Sequence, residues 1–282
     1  MRWNHRLKYL FLLPAVAWVL AFTLYPLLYS LRLSFYNVRL GQADTFVGLA
    51  NFARALGDPN VLNAAQVTLV FVLGGVALQL VLGTLLALLF NRTLPARGLL
   101  RTVMTLPLFA TPIAVGFLFF TIFYEEGGLA SRLLGWRVPW QSHPDWALAS
   151  VMLVDTWQWT PFVFIVILAA LQSIPEEYYE AARLESSSGF DHLRHITLPL
   201  LQPTIILVLV LRFAEAFKVF DIPFTLTAGG PGAATQVYSM FVYRTGRRFF
   251  DFGYASALAF LMLVVVALIV TLFFRQMRQV YR

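Results

Sequence analysis

Asp155 is an acid inside an apolar run, four residues before Trp159 and seven before Phe162. On a helix these side chains share a face. A carboxylate beside an aromatic ring suits a polyhydroxylated solute: the ring packs on the solute's C–H face while the acid accepts hydroxyl hydrogen bonds. The competing reading puts Asp155 near a membrane interface, with the tryptophans as belt residues. Arg212, Glu215 and Lys218 recur every three residues in a later apolar run, with Asp221 after them. They read either as an ion-pair ladder neutralised within one helix or as side chains lining a path for a solute. Gln79 is a further polar residue in an apolar run and a candidate of the same kind.

Other chemistries are missing from the sequence. Lys8 and Lys218 are its only lysines, and neither follows a phosphate-cradling glycine loop, so nucleotide hydrolysis would have to reside in another polypeptide. With no cysteine, disulfides, thiolate catalysis and cysteine-based metal sites drop out together. His192 and His195 are spaced to meet on one helical face, but no further ligand lies nearby, and they read as ordinary loop residues rather than a metal pair. No serine stands in a nucleophile elbow or a triad context.

The elements that must position the candidate residues are membrane spans. Hydrophobic residues make up 59% of the chain and charged ones only 12%, with a mean hydropathy of +0.72, which lies outside the range of soluble domains. Apolar runs predict an all-α integral membrane fold, a single domain over residues 1–282. Its six spans are 9–33, 61–90, 102–123, 147–172, 203–220 and 252–274. The basic start, with Arg2, Arg6 and Lys8, resembles that of a signal peptide. The apolar run behind it is too long and lacks a small-residue cleavage site, so it is read as a retained span. The net charge of +7 reflects basic residues flanking spans rather than a nucleic-acid partner. Gly74, Gly75 and Gly83 permit close helix contact in the second span, and Pro107 and Pro112 in the third are assigned no function. Trp136, Trp140 and Trp146 fit an interfacial belt.

The longest charged segment between spans is residues 173–202. Ser173 and Glu176 have capping-box spacing, Pro175 sits in the first turn, and Glu176 and Glu177 suit the positive end of a helix dipole. The pattern predicts a helix over about 174–185, a break at Ser186–Gly189, and a second short helix over 192–196 before the apolar run that starts at Pro199.

Here the chain resembles a known family. Glu180, Ala181 and Ala182, followed by Ile196, Leu198 and Pro199, are similar to the signature loop of the membrane subunits of ATP-binding-cassette importers. The family usually has a glycine six residues after the glutamate; Ser186 stands there, and Gly189 comes three positions late. Phe46–Phe52, Thr227–Gly232 and Gly253–Ala257 resemble stretches of carbohydrate-type permeases, so the resemblance runs in order from the first span to the last. It also marks Trp157, Pro161 and Phe162 as a Trp-x-x-x-Pro-Phe pattern, and Trp157 joins Gln79, Asp155, Trp159, Phe162, Glu215 and Lys218 as a candidate substrate contact.

The resemblance implies half of a translocation pore for a sugar, mono- or oligosaccharide, with a second permease, two ATPase subunits and an extracytoplasmic solute-binding protein as partners. It implies that 173–202 is a cytoplasmic coupling loop, and that ATP and Mg are used by the ATPase subunits while this chain binds no cofactor. The expected location is a bacterial or archaeal inner membrane, in contact with its lipid and with both termini cytoplasmic. Basic residues are only slightly biased to that side, so the orientation leans on the N-terminus, on Arg275, Arg278 and Arg282, and on the loop. A glycerol-phosphate-type substrate is the alternative within this architecture. An ion-coupled secondary carrier is the rival class, but no repeat relates residues 1–140 to 141–282. A structural or signalling subunit would keep the same spans and transport nothing.

Overall fold

The computed structural model describes residues 5–92, 95–185 and 188–280. Its chain falls into two compact units, Met1–Leu62 with Phe241–Val264, and Asn63–Met240 with Val265–Arg282.

The first unit begins with α1 (His5–Val19), which passes through a π-turn at Leu20–Leu24 into α2 (Tyr25–Ser34). A two-residue antiparallel hairpin follows, β1 (Tyr36–Asn37) with β2 (Thr45–Phe46), and then α3 (Ala50–Gly57). Asn51, in the Phe46–Phe52 motif, ties these pieces together by donating its amide to the carbonyls of Ser34 at 2.9 Å and Tyr36 at 3.0 Å. Those carbonyls lie where the chain leaves α2, and the amide satisfies them. From the C-terminal part of the unit, Asp251 accepts from Arg39 and Arg54, each at 3.0 Å. Tyr254 is almost fully buried, bonds Asp58 through its hydroxyl and carries the Arg54 guanidinium over its ring. Gly253 must be glycine because a Cβ there would collide with the Tyr36 carbonyl.

In the second unit α4 (Pro59–Phe90) is 32 residues long, roughly 48 Å, which exceeds the hydrocarbon core. Next come α5 (Arg97–Thr105), a 3₁₀ turn (Leu106–Phe109), α6 (Pro112–Ile122), α7 (Leu129–Leu134) and α8 (Pro144–Gln172). The segment after α8 holds α9 (Glu176–Glu185) and α10 (Gly189–His192), and a π-turn at Leu193–Thr197 leads into α11 (Leu198–Ala216). After α12 (Asp221–Leu226) come α13 (Tyr238–Arg247), most of which belongs to the first unit, and α14 (Phe252–Val280), which belongs to the first unit as far as Val264.

Among the described residues five helices are long and apolar enough to cross a membrane, and a sixth crossing exists if one bent pair counts as a single span. That pair is the run expected as the third span over 102–123, and it is bent by 101° between Phe109 and Pro112. The prolines left without a role are the cause. Pro107 lies in the 3₁₀ turn and Pro112 starts α6, so the helical hydrogen-bond ladder cannot continue between them. Gln158 of α8, buried at 2% exposure, donates to the Ala110 carbonyl at 2.9 Å and satisfies the backbone freed by the break.

Helices α4 and α8 meet where Gly83 faces Val163, in a core shared with α11 through Leu201 and Val208. A Cβ on Gly83 would lie 2.6 Å from Val163 Cβ and 3.0 Å from the Phe164 backbone nitrogen, and backbone cannot move aside cheaply. Gly83→Ala should therefore destabilise the chain by about 1–3 kcal/mol, read as a lower unfolding midpoint in detergent. Gly57→Ala, which meets nothing within 4 Å, serves as the control.

Glu125, beyond α6, accepts the N–H groups of Gln141 and Ser142, each at 2.9 Å, and the Ser142 hydroxyl at 2.8 Å. Burial pushes its pKa up, but the three hydrogen bonds outweigh burial and hold the carboxyl below its ordinary 4.5. The tether therefore contributes its full stabilisation above that ordinary value, and loses it as pH falls through the lowered one. Limited proteolysis of the 124–143 segment should accelerate only in acid, and Glu125→Gln should remove that pH dependence.

Candidate functional site

The polar residues expected inside spans form a closed ring. Gln79 of α4 donates Nε2–H to Asp155 Oδ2 of α8 at 2.7 Å; Arg212 of α11 donates Nη2–H to the same oxygen at 3.2 Å and Nε–H to Gln79 Oε1 at 2.8 Å. Exposures are 0%, 3% and 2% for Gln79, Asp155 and Arg212. The guanidinium lies over the Trp159 ring, 4.4 Å from its centroid. A charge pair this deep persists only with its hydrogen bonds satisfied, and here the amide supplies a donor to the acid and an acceptor to the base. Gly75, one turn before Gln79, has Asp155 Oδ2 only 3.9 Å from where its Cβ would be.

The ladder of Arg212, Glu215 and Lys218 is not formed as expected. Lys218 pairs with Glu215 at 2.8 Å on an exposed stretch, whereas Arg212 turns inward to Asp155. Helical spacing offers Glu215 as a partner for Arg212, and the packing of α8 on α11 offers Asp155. Burial decides between them, because an exposed Glu215 is already solvated and an unpaired Asp155 would not be.

Asp155, Trp159, Arg212, Glu215, Lys218 and Asp221 together line a cavity of about 190 Å³. The structure thus gathers Gln79, Asp155, Trp159, Glu215 and Lys218 around one place. Trp157 and Phe162 lie elsewhere. Trp157 packs edge-on against Phe119 and lines a separate apolar groove, while Phe162 packs against the core shared by α4, α8 and α11.

Around the charged segment the local structure departs from expectation in two places. Ser173 does not cap α9; its hydroxyl bonds back to the Ala170 carbonyl, so it closes α8. The second short helix is not separate: α10 opens at Gly189, capped by Ser188, whose hydroxyl accepts the Asp191 N–H at 3.4 Å, and continues through the π-turn into α11. The π-turn has a visible cause in Thr197, whose hydroxyl donates to the His192 carbonyl five residues back and meets Tyr179 Oη of α9 at 3.2 Å. Ile196, Leu198 and Pro199 therefore sit on a helix that runs unbroken from Gly189 to Ala216. Glu180 is exposed on α9. Ser186 lies outside the described residues, as do the side chains of Ala181 and Ala182.

Residues 79–282 match the family model described as binding-protein-dependent transport system inner membrane component. The chain belongs to this family. The permease is 35% identical, over 93% of its length and 90% of the relative's, to the trehalose/maltose transport system permease protein MalF of Thermococcus litoralis. It is 32% identical to the lactose transport system permease protein LacF of Rhizobium radiobacter, over 96% of its own length and 94% of the relative's. Among solved structures, a chain of a bacterial alginate ABC transporter in complex with an alginate-pentasaccharide-bound periplasmic protein superposes with a TM-score of 0.85 at 25% identity, covering 97% of the permease and 94% of that chain. A chain of the MetNI methionine ABC transporter shares the fold, with a TM-score of 0.57 at 17% identity over 78% of the permease and 96% of that chain.

Proposed function

We propose that this permease forms half of the translocation pore of an ATP-driven importer for a neutral mono- or oligosaccharide. A solute-binding protein delivers the sugar, and two separate ATPase subunits drive transport through the 173–202 segment. The second permease is a different chain, the bent third span counts as one of six crossings, and both termini face the cytoplasm. The observation that carries this reading is coverage: relatives named as trehalose/maltose and lactose permeases align with more than nine-tenths of the chain, at 35% and 32% identity. The cavity beside Asp155, Trp159 and Glu215 supports the choice of a hydroxylated substrate, since an aromatic face, a carboxylate and an exposed ion pair offer both packing and hydrogen bonds.

Purification of the chain from its native membrane in mild detergent tests the assembly. The expected result is recovery of an ATPase subunit and a second permease, with ATPase activity stimulated by a sugar-loaded binding protein. Recovery of the chain alone, with uptake driven by an ion gradient, would replace this reading with that of a secondary carrier.

A further inference from the structure

Arg97 and Arg101 stand one turn apart on α5, and both reach the C-terminal end of α8. With the Gln172 amide turned so that its carbonyl faces them, that oxygen accepts from Arg97 Nη2 at 2.6 Å and from Arg101 Nη2 at 2.7 Å. No described carboxylate lies within ion-pair distance of either arginine. The Nε of each is shielded from solvent and lacks a hydrogen-bond partner among the described residues. Two cations are thus gathered on one neutral oxygen, at a helical spacing where like charges repel. Where Arg39 and Arg54 converge elsewhere in the chain, the acceptor is the carboxylate of Asp251. Here no described carboxylate supplies the counter-charge.

We propose that Arg97, Arg101 and Gln172 form a binding site for a phosphate-bearing anion, supplied by the headgroup of an anionic phospholipid. Guanidinium groups match the paired oxygens of a phosphate. The site borders the surface, since Gln172 is exposed and both arginines are partly so. The first turn of α5 adds the positive end of a nine-residue helix. Its position selects lipid over a soluble ion. The long apolar helices α4 and α8 end at Phe90 and Gln172, which puts the cluster at a membrane edge, and α5 exposes Leu99, Leu100, Val103 and Met104 beside it. Basic pockets between span ends at that depth recognise anionic headgroups.

The test uses the full chain in nanodiscs of mixed phosphatidylglycerol and phosphatidylcholine, with retained lipid read by native mass spectrometry. The wild type should retain phosphatidylglycerol with a preference on the order of tenfold, and Arg97→Gln with Arg101→Gln should abolish that preference. Arg97→Lys with Arg101→Lys, which keeps the charge, should retain part of it and so guards against misfolding of the glutamine variant. Stabilisation of the wild type by inorganic phosphate in purely phosphatidylcholine discs, lost in the glutamine variant, would support the anion site but assign it to the soluble ion. Equal retention of the two lipids, or a preference that survives both glutamines, overturns the proposal. So does loss of ATPase co-purification with lipid retention unchanged, which would mean that the arginines meet a carboxylate of that partner.

Discussion

Arg212→Met should destabilise the chain by about 3–5 kcal/mol, the scale for leaving one member of a buried ion pair without its partner. Asp155 is 3% exposed and accepts hydrogen bonds from Gln79 and Arg212. Removing the guanidinium leaves a nearly buried carboxylate with a single amide donor, and Gln79 Oε1 loses its partner as well. Asp155→Leu alone should cost a similar amount, because it strands the arginine. The double variant Asp155→Leu with Arg212→Met should recover most of the loss, since matched apolar replacement of a buried pair is often close to neutral. Unfolding midpoints in detergent, combined as a double-mutant cycle, read the coupling. Uptake by the reconstituted complex then separates the two roles open to Asp155. If the ring is purely structural, the double variant folds and transports. If Asp155 also contacts the solute from the cavity it lines, folding returns and uptake does not.

How much of this ring was legible follows from what each residue shows in one dimension. Gln79 and Asp155 stand out because polar groups inside spans are costly. Their partner was misassigned because Arg212 has Glu215 three residues away, and helical spacing ranks near neighbours above one 57 residues distant. The local pair of Glu215 and Lys218 did form, which is the part of the ladder that needs no tertiary contact. The same division holds elsewhere. The α9 helix was readable from Pro175 and its first-turn glutamates, but the role of Ser173 was not, because a serine at a helix end can bond forward as an N-cap or backward to the turn it follows. Pro107 and Pro112 were visible, but a proline in a span either kinks it or is absorbed by its neighbours. What made a sharp bend affordable is Gln158, 48 residues beyond the carbonyl it satisfies, and no local pattern announces it.

Glu180→Lys should abolish uptake while leaving the permease folded in the membrane. In the proposed importer α9 is the element that docks on the ATPase subunit, and Glu180 is exposed on it, so the substitution removes no buried contact of this chain. Surface changes of that kind alter stability by less than about 0.5 kcal/mol. At a docked interface the same reversal acts differently: a like-charge juxtaposition or a stranded partner costs about 2–5 kcal/mol, roughly a 30-fold or greater loss in association. The expected signature is therefore an unchanged unfolding midpoint with lost co-purification of the ATPase. The continuous helix from Gly189 through the π-turn to Ala216, with Tyr179 and Thr197 in contact across the segment, gives a displacement of α9 a direct route into α11. Tyr179→Phe should consequently keep the ATPase bound but lower the uptake obtained per ATP hydrolysed, a readout that a docking defect does not produce. Normal uptake by Glu180→Lys in an intact complex would remove α9 from the coupling route, and Tyr179→Phe would then be expected to behave as wild type.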